Sequence, residues 1–155
     1  MTTENLDIGF RVFRTADTNI RWTHDALKGQ LDLDESSLSD KDKLDFMPYA
    51  TDLNVVYEVL LRQRDIPLSS NVDKLDIGER TYIFADSYVV CLDETVTAEL
   101  VEKLAAIEPT PIKYVFRDSA FDDDISLKDE TVRRLEAYIA RNSGESKKAY
   151  TVEFI

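Results

Sequence analysis

A chain of 155 residues, 43% of them hydrophobic, is the size of one domain and carries enough apolar residues for a core, which excludes wholesale disorder. The net charge of −12 opposes nonspecific binding to DNA, because phosphate contacts are carried by clustered Lys and Arg. No run approaches the roughly 20 apolar residues of a membrane span, the start MTTENLD lacks the basic and apolar regions of a secretion signal, and the one cysteine, Cys91, excludes an internal disulfide, so the chain reads as cytoplasmic.

The first patterned stretch is GFRVFRTADTNIRW, residues 9–22. Across it Phe10, Val12 and Trp22 want burial and Arg11, Arg14 and Arg21 want water, and its FRVFR, 10–14, alternates at period two and reads as a half-buried strand. Residues 29–45 are polar and acidic and read as a mobile surface loop, with room for a short helix at its end. DLNVVYEVLLRQRD, 52–65, reads as a helix with Leu53, Val56 and Leu60 on one face beside Val59. Thr51 or Asp52 caps it and Pro67 closes its exit. Residues 74–94 carry three short apolar runs punctuated by Gly78 and by Asp86-Ser87, the pattern of an antiparallel meander. The last run, Tyr88 to Leu92, is continuously apolar, as in a strand covered on both faces.

Then the period changes. TAELVEKLAAIEP, 97–109, spaces Leu100, Val101, Leu104 and Ile107 as a helix, with Thr97 as cap and Pro109 as stop. IKYVF, 112–116, alternates as a strand. Residues 126–142 place Val132, Leu135 and Ile139 on one helical face, and Asn142 to Gly144 end that helix. AYTVEFI, 149–155, reads as a final strand. Alternation of strand and helix from residue 88 onward argues for parallel strands joined by right-handed crossovers. The expectation is a single α/β domain over 1–155: a mixed sheet with an antiparallel N-terminal part, a C-terminal parallel βαβαβ unit, and helices packed on the sheet.

Little of the sequence reads as chemistry. Gly9, Gly29, Gly78 and Gly144 stand singly, so neither a dinucleotide fingerprint nor a phosphate loop is present. His24 stands alone and reads as a surface or packing residue, and Cys91 reads as a small buried hydrophobe, so no zinc ligand set is expected. The densest cluster is FRDSAFDDD, 116–124, placed after a strand, where open α/β sheets bind ligands. Asp118, Asp122, Asp123 and Asp124, with Asp93 and Glu94 at the end of the neighbouring strand, have the oxygens for a hard cation. The same residue types also cap helices and close turns, and Arg117 is placed to pair with a neighbouring acid. Ser119 lacks the glycine-flanked elbow of a serine hydrolase. No catalytic, cofactor-binding or metal residue is assigned.

Three stretches, GFRVFRTADTNIRW, VVCLDETVTAELVEKL and YVFRDSAFDDD, resemble in order the C-terminal region of the modification subunit of type III restriction-modification systems, over roughly 9–124. That family consists of adenine-specific DNA methyltransferases. The resemblance implies a tail that follows a catalytic core, and that core is not in this sequence. The family's Asp-Pro-Pro-Tyr, which holds a flipped adenine, has as its nearest counterpart DFMPY, Asp45 to Tyr49, with Phe46 and Met47 where proline belongs. The Phe-x-Gly-x-Gly cofactor motif is absent, so S-adenosylmethionine is a cofactor of the implied parent protein and not of this chain. After residue 124 the chain departs from the family pattern.

The expected function is therefore a noncatalytic assembly domain, a C-terminal fragment of a longer methyltransferase, whose implied partners are the restriction helicase subunit and a second modification subunit. Asp93, Glu94, Phe116, Arg117, Asp118 and Phe121, at the ends of two parallel strands, are its candidate interaction residues. A second reading is a free-standing acidic protein that binds a basic partner or mimics DNA. A third is a small metal-binding domain or enzyme using residues 117–124.

Overall fold

The computed structural model describes residues 12, 14–21, 39–63, 70–143 and 150–155. Five strands form one sheet in the order β1 to β5: β1 Val72–Lys74, β2 Thr81–Phe84, β3 Tyr88–Cys91, β4 Lys113–Phe116 and β5 Thr151–Phe154. β1, β2 and β3 pair antiparallel, while β3, β4 and β5 pair parallel. The mixed α/β sheet expected from the change of period is the one observed.

The parallel strands are joined by α3, Ala98–Ala105, and α4, Ile125–Ser143. Both pack on one face, where Val101, Leu104, Leu135 and Ile139 meet Val89, Cys91, Tyr114 and Phe116. The other face takes α2, Asp52–Arg62, whose Val55, Val56, Val59 and Leu60 meet Phe84, Val90, Leu92 and Val115. Successive residues of β3 and β4 thus alternate between two cores. A strand buried on both faces has no polar side to show, which is why Tyr88 to Leu92 is continuously apolar.

Local signals behave as their chemistry dictates. Thr51 and Thr97 cap α2 and α3 by accepting from the amides of Asn54 and Leu100. Asp124 accepts from the amides of Ser126 and Leu127 at the start of α4. On α2 the buried face is rotated from the expected one: Leu53 is 47% exposed, and Val55 takes the inward place. In α4, Thr131 is buried with Leu135 and Ile139, and Val132 is half-buried.

The end of the expected 29–45 loop is a short helix, α1, Asp40–Asp45, capped by the Ser39 hydroxyl. Residues 29–38 lie outside the described residues, as do Phe10, Trp22, His24, Pro67 and Gly144. Of the expected strand over 10–14, Val12 and Arg14 are described; both are exposed and neither lies in a strand. No helix among the described residues is long and apolar enough to cross a membrane.

Candidate functional site

The site is the carboxyl edge of β3 and β4. Arg117 follows Phe116, so the alternation of β4 turns it toward the α2 face, after Val115. Its amide continues the parallel ladder to the Cys91 carbonyl. Its side chain is fully buried, and a buried charge is tolerable only with partners. They come from α1. Arg117 Nε donates to Asp45 Oδ2 and, at 2.9 Å, to Ser119 Oγ, whose hydroxyl in turn donates to the same Asp45 oxygen. Nη1 pairs with Asp42 Oδ1 at 2.8 Å. Asp45, 2% exposed, is the only buried residue of α1.

Arg80, just before β2, stands beside it. Its Nη1 meets the same Asp42 Oδ1 at 2.8 Å, while Nε and Nη2 grip Asp52 at the start of α2. Tyr82 donates to Asp52 at 2.9 Å. Burial acts to raise the Asp52 carboxyl, but the hydrogen bonds and charge of Arg80, with Tyr82 and Lys74, outweigh it and hold it below the usual carboxylate value. Burial pushes the Tyr82 hydroxyl up to about 12, helped by its bond to Asp52 and by that carboxylate's charge. Phe46 closes the group from beneath, its ring centroid 4.8 Å from the Arg117 guanidinium carbon and 5.8 Å from that of Arg80. Phe46 is itself bridged to Ile20, with Arg21 N donating to the Asp45 carbonyl and Met47 N to that of Asn19.

The six interaction candidates divide sharply. Phe116 and Phe121 are fully buried and pack edge-to-face against each other, both against Phe154. Arg117 is spent on Asp42 and Asp45. Asp93, 7% exposed, accepts from the amides of Glu79 and Arg80 and from the Thr81 hydroxyl, clamping the loop before β2. Gly78 in that loop has φ +70°, and a Cβ there would lie 2.5 Å from Asp93 Oδ2. These four therefore turn inward and offer a partner no side-chain surface. The reason is parity and cover: Phe116 and Phe121 enter the core beneath α3 and α4, Asp93 is held by the 79–80 backbone and Thr81, and Arg117, on the other face, is covered by α1 and Phe46. Asp118, paired with Lys128, and Glu94, whose carbonyl accepts from Lys41, are the two that retain exposure.

The acids of 117–124 are likewise engaged. Asp122 pairs with Lys41 at 2.9 Å and Asp124 caps α4. Among the described residues no three His, Cys, Asp or Glu side chains converge as a metal set. Burial raises the Cys91 thiol to about 12, with the nearby Asp93 carboxylate adding to it, far from a nucleophile's range. An open cleft of ≈ 470 Å³ lies between the 78–80 loop and the start of α3, lined by Glu79, Arg80, Glu94, Glu99 and Lys103.

Asp42, Asp45, Phe46, Asp52 and Arg80 were not among the expected site residues. A signal for two of them exists: Asp42 and Asp45 stand three apart in a helix-forming stretch, hence on one face. Compared with protein-family models, with curated proteins and with solved structures, the chain matches none.

Proposed function

We propose that the chain is a noncatalytic assembly domain of the kind that follows the catalytic core in the modification subunit of type III restriction-modification systems. One observation carries the reading. The three stretches that resemble that family, distant in sequence, meet at one place. Asn19, Ile20 and Arg21 of the first pair with residues 45–47; Leu92 of the second, through its carbonyl, faces Arg117 of the third; and Arg117 rests on Phe46. At that place Arg117, Ser119 and the backbone of 19–21 bond to residues 42–47 of the same domain. That use suits a scaffold better than a reaction centre.

On this reading the partners are the restriction helicase subunit and a second modification subunit, the compartment is the cytoplasm, and S-adenosylmethionine belongs to the parent protein. The −12 charge favours protein over DNA as the surface met. The same charge supports a second reading, a free-standing acidic protein that binds a basic partner or mimics DNA. The test is reconstitution. The purified chain is mixed with the modification and helicase subunits of the same gene neighbourhood and passed over size-exclusion with light scattering. Co-elution with either is expected, with no methyl transfer to adenine by the chain alone. Separate elution at micromolar concentrations refutes the assembly reading, and co-elution with an unrelated basic protein alone favours the second.

A further inference from the structure

α1 is a helix of six residues whose only buried residue is an aspartate. Its one apolar residue, Leu44, is only half-buried, and a helix this short has no stability alone. Phe46 at its C-cap anchors its end in the core, while the helix itself is held by ion pairs: Asp42 and Asp45 to the two arginines, Lys41 to Asp122, with Lys41 also donating to the Glu94 carbonyl. What it covers is the carboxyl edge of two parallel strands, the position at which open α/β sheets hold ligands.

The receptor beneath α1 has a definite shape. Two carboxylate oxygens are each read by two donors. Asp42 Oδ1 lies 2.8 Å from Arg80 Nη1 and 2.8 Å from Arg117 Nη1. Asp45 Oδ2 takes Arg117 Nε and the Ser119 hydroxyl. A further donor is left over: Arg117 Nη2, on a fully buried side chain, has no hydrogen-bond partner among the described residues. A guanidinium fork is built for two oxygens of one planar or tetrahedral oxyanion. Here two separate side chains divide the fork and leave one arm empty. A buried unsatisfied donor is costly, so a single anion that engaged the whole fork has a gain available that α1 does not realise.

We propose that Arg80, Arg117 and Ser119 form an oxyanion-binding site, that α1 occupies it with its own carboxylates as an internal plug, and that an oxyanion presenting two acceptor oxygens displaces the plug. Phosphate and carboxylate share this chemistry. Displacing Asp42 and Asp45 takes two carboxylates away from the two guanidiniums and leaves Arg117 Nε and Nη1 and Arg80 Nη1 without the acceptors they now share, so the emptied site favours an anion. This holds whether or not the assembly reading is right, since its test involves no partner subunit.

The experiment follows backbone hydrogen exchange in the intact wild-type chain. The reporters are the amides whose bonds hold the plug: Lys43 to Ser39, Phe46 to Asp42, and Arg21 to Asp45. Inorganic phosphate, acetate and chloride are compared at equal ionic strength. A ligand that binds only the open form raises open-state population in proportion to its concentration, so these amides exchange at least about twofold faster over a tenfold rise in phosphate or acetate. The Val101 amide in α3 keeps its rate. The larger of the two effects assigns the natural anion to phosphates or to carboxylates. Identical rates in all three salts overturn the proposal. A second measurement uses Asp42→Asn with Asp45→Asn: calorimetric phosphate affinity rises roughly tenfold or more over wild type, and adding Arg80→Gln removes it. A folded double variant that binds phosphate no better than wild type overturns it equally.

Discussion

Replacing Arg117 by Met tests whether this side chain is a buried structural charge. The substitution keeps an unbranched apolar stem of similar length. It removes the guanidinium that faces Asp45 Oδ2, Asp42 Oδ1 at 2.8 Å and the Leu92 carbonyl at 3.5 Å. Asp42, 15% exposed, keeps Arg80 and some water. Asp45, 2% exposed, loses its guanidinium at a depth where a carboxylate is poorly solvated. Breaking one side of a buried pair costs about 3–5 kcal/mol. For a chain of this size that is a fall in Tm of about 6–20 °C, at about 2–4 °C per kcal/mol. A surface residue changed in the same way moves stability by about 0.5 kcal/mol or less. The assay is urea unfolding followed by far-UV circular dichroism, with a thermal melt beside it. A companion, Arg117→Met with Asp45→Leu, removes both ends of the pair and recovers most of the loss, because the cost lies in a buried carboxylate deprived of its counter-charge rather than in the missing bond. A single variant that loses less than about 1 kcal/mol refutes the reasoning. So does a double variant no more stable than the single one.

Three further outcomes are expected. Gly78→Ala places a Cβ against the Asp93 carboxylate at a φ of +70°, and a loss of about 2–4 kcal/mol in urea unfolding is predicted from backbone strain and disturbed hydrogen bonds together; a loss under about 0.5 kcal/mol means the 78–81 loop yields freely. Cys91 is buried with its thiol raised to about 12, so Ellman's reagent at pH 8 finds no reactive thiol in the native protein and one after denaturation, and prompt labelling of the native chain contradicts its place in the core. Asp52, whose folded value is lowered below the ordinary 3.8, adds stability that is fully present above that ordinary value and is lost as pH falls through the lowered one. Asp52→Asn therefore flattens the acid limb of stability against pH below about 4, and an unchanged limb removes Asp52 from the network.

Period and punctuation were enough to determine the architecture of this chain. The switch from alternating to helical spacing after Leu92 set the parallel βαβαβ unit, and the unbroken apolar run Tyr88 to Leu92 demanded cover on both faces, which α2 on one side and α3 with α4 on the other supply. Thr51 and Thr97 announced helix starts because an N-cap is a local contact between residues three apart. The use of Arg117 was beyond that kind of reading. Its partners lie 72 and 75 positions away in a stretch whose acidity looks like solvated surface, and only the path of the chain brings Asp42 and Asp45 over the strand ends. A charged residue after a strand is equally compatible with water and with burial until something is known to cover it. Burial is decided by long-range packing, and long-range packing is a property of the whole fold; hence the sequence named the strand ends as the place of interest, and the tertiary structure decided that Phe116 and Phe121 turn into the core beneath α3 and α4 while α1 stands over Arg117.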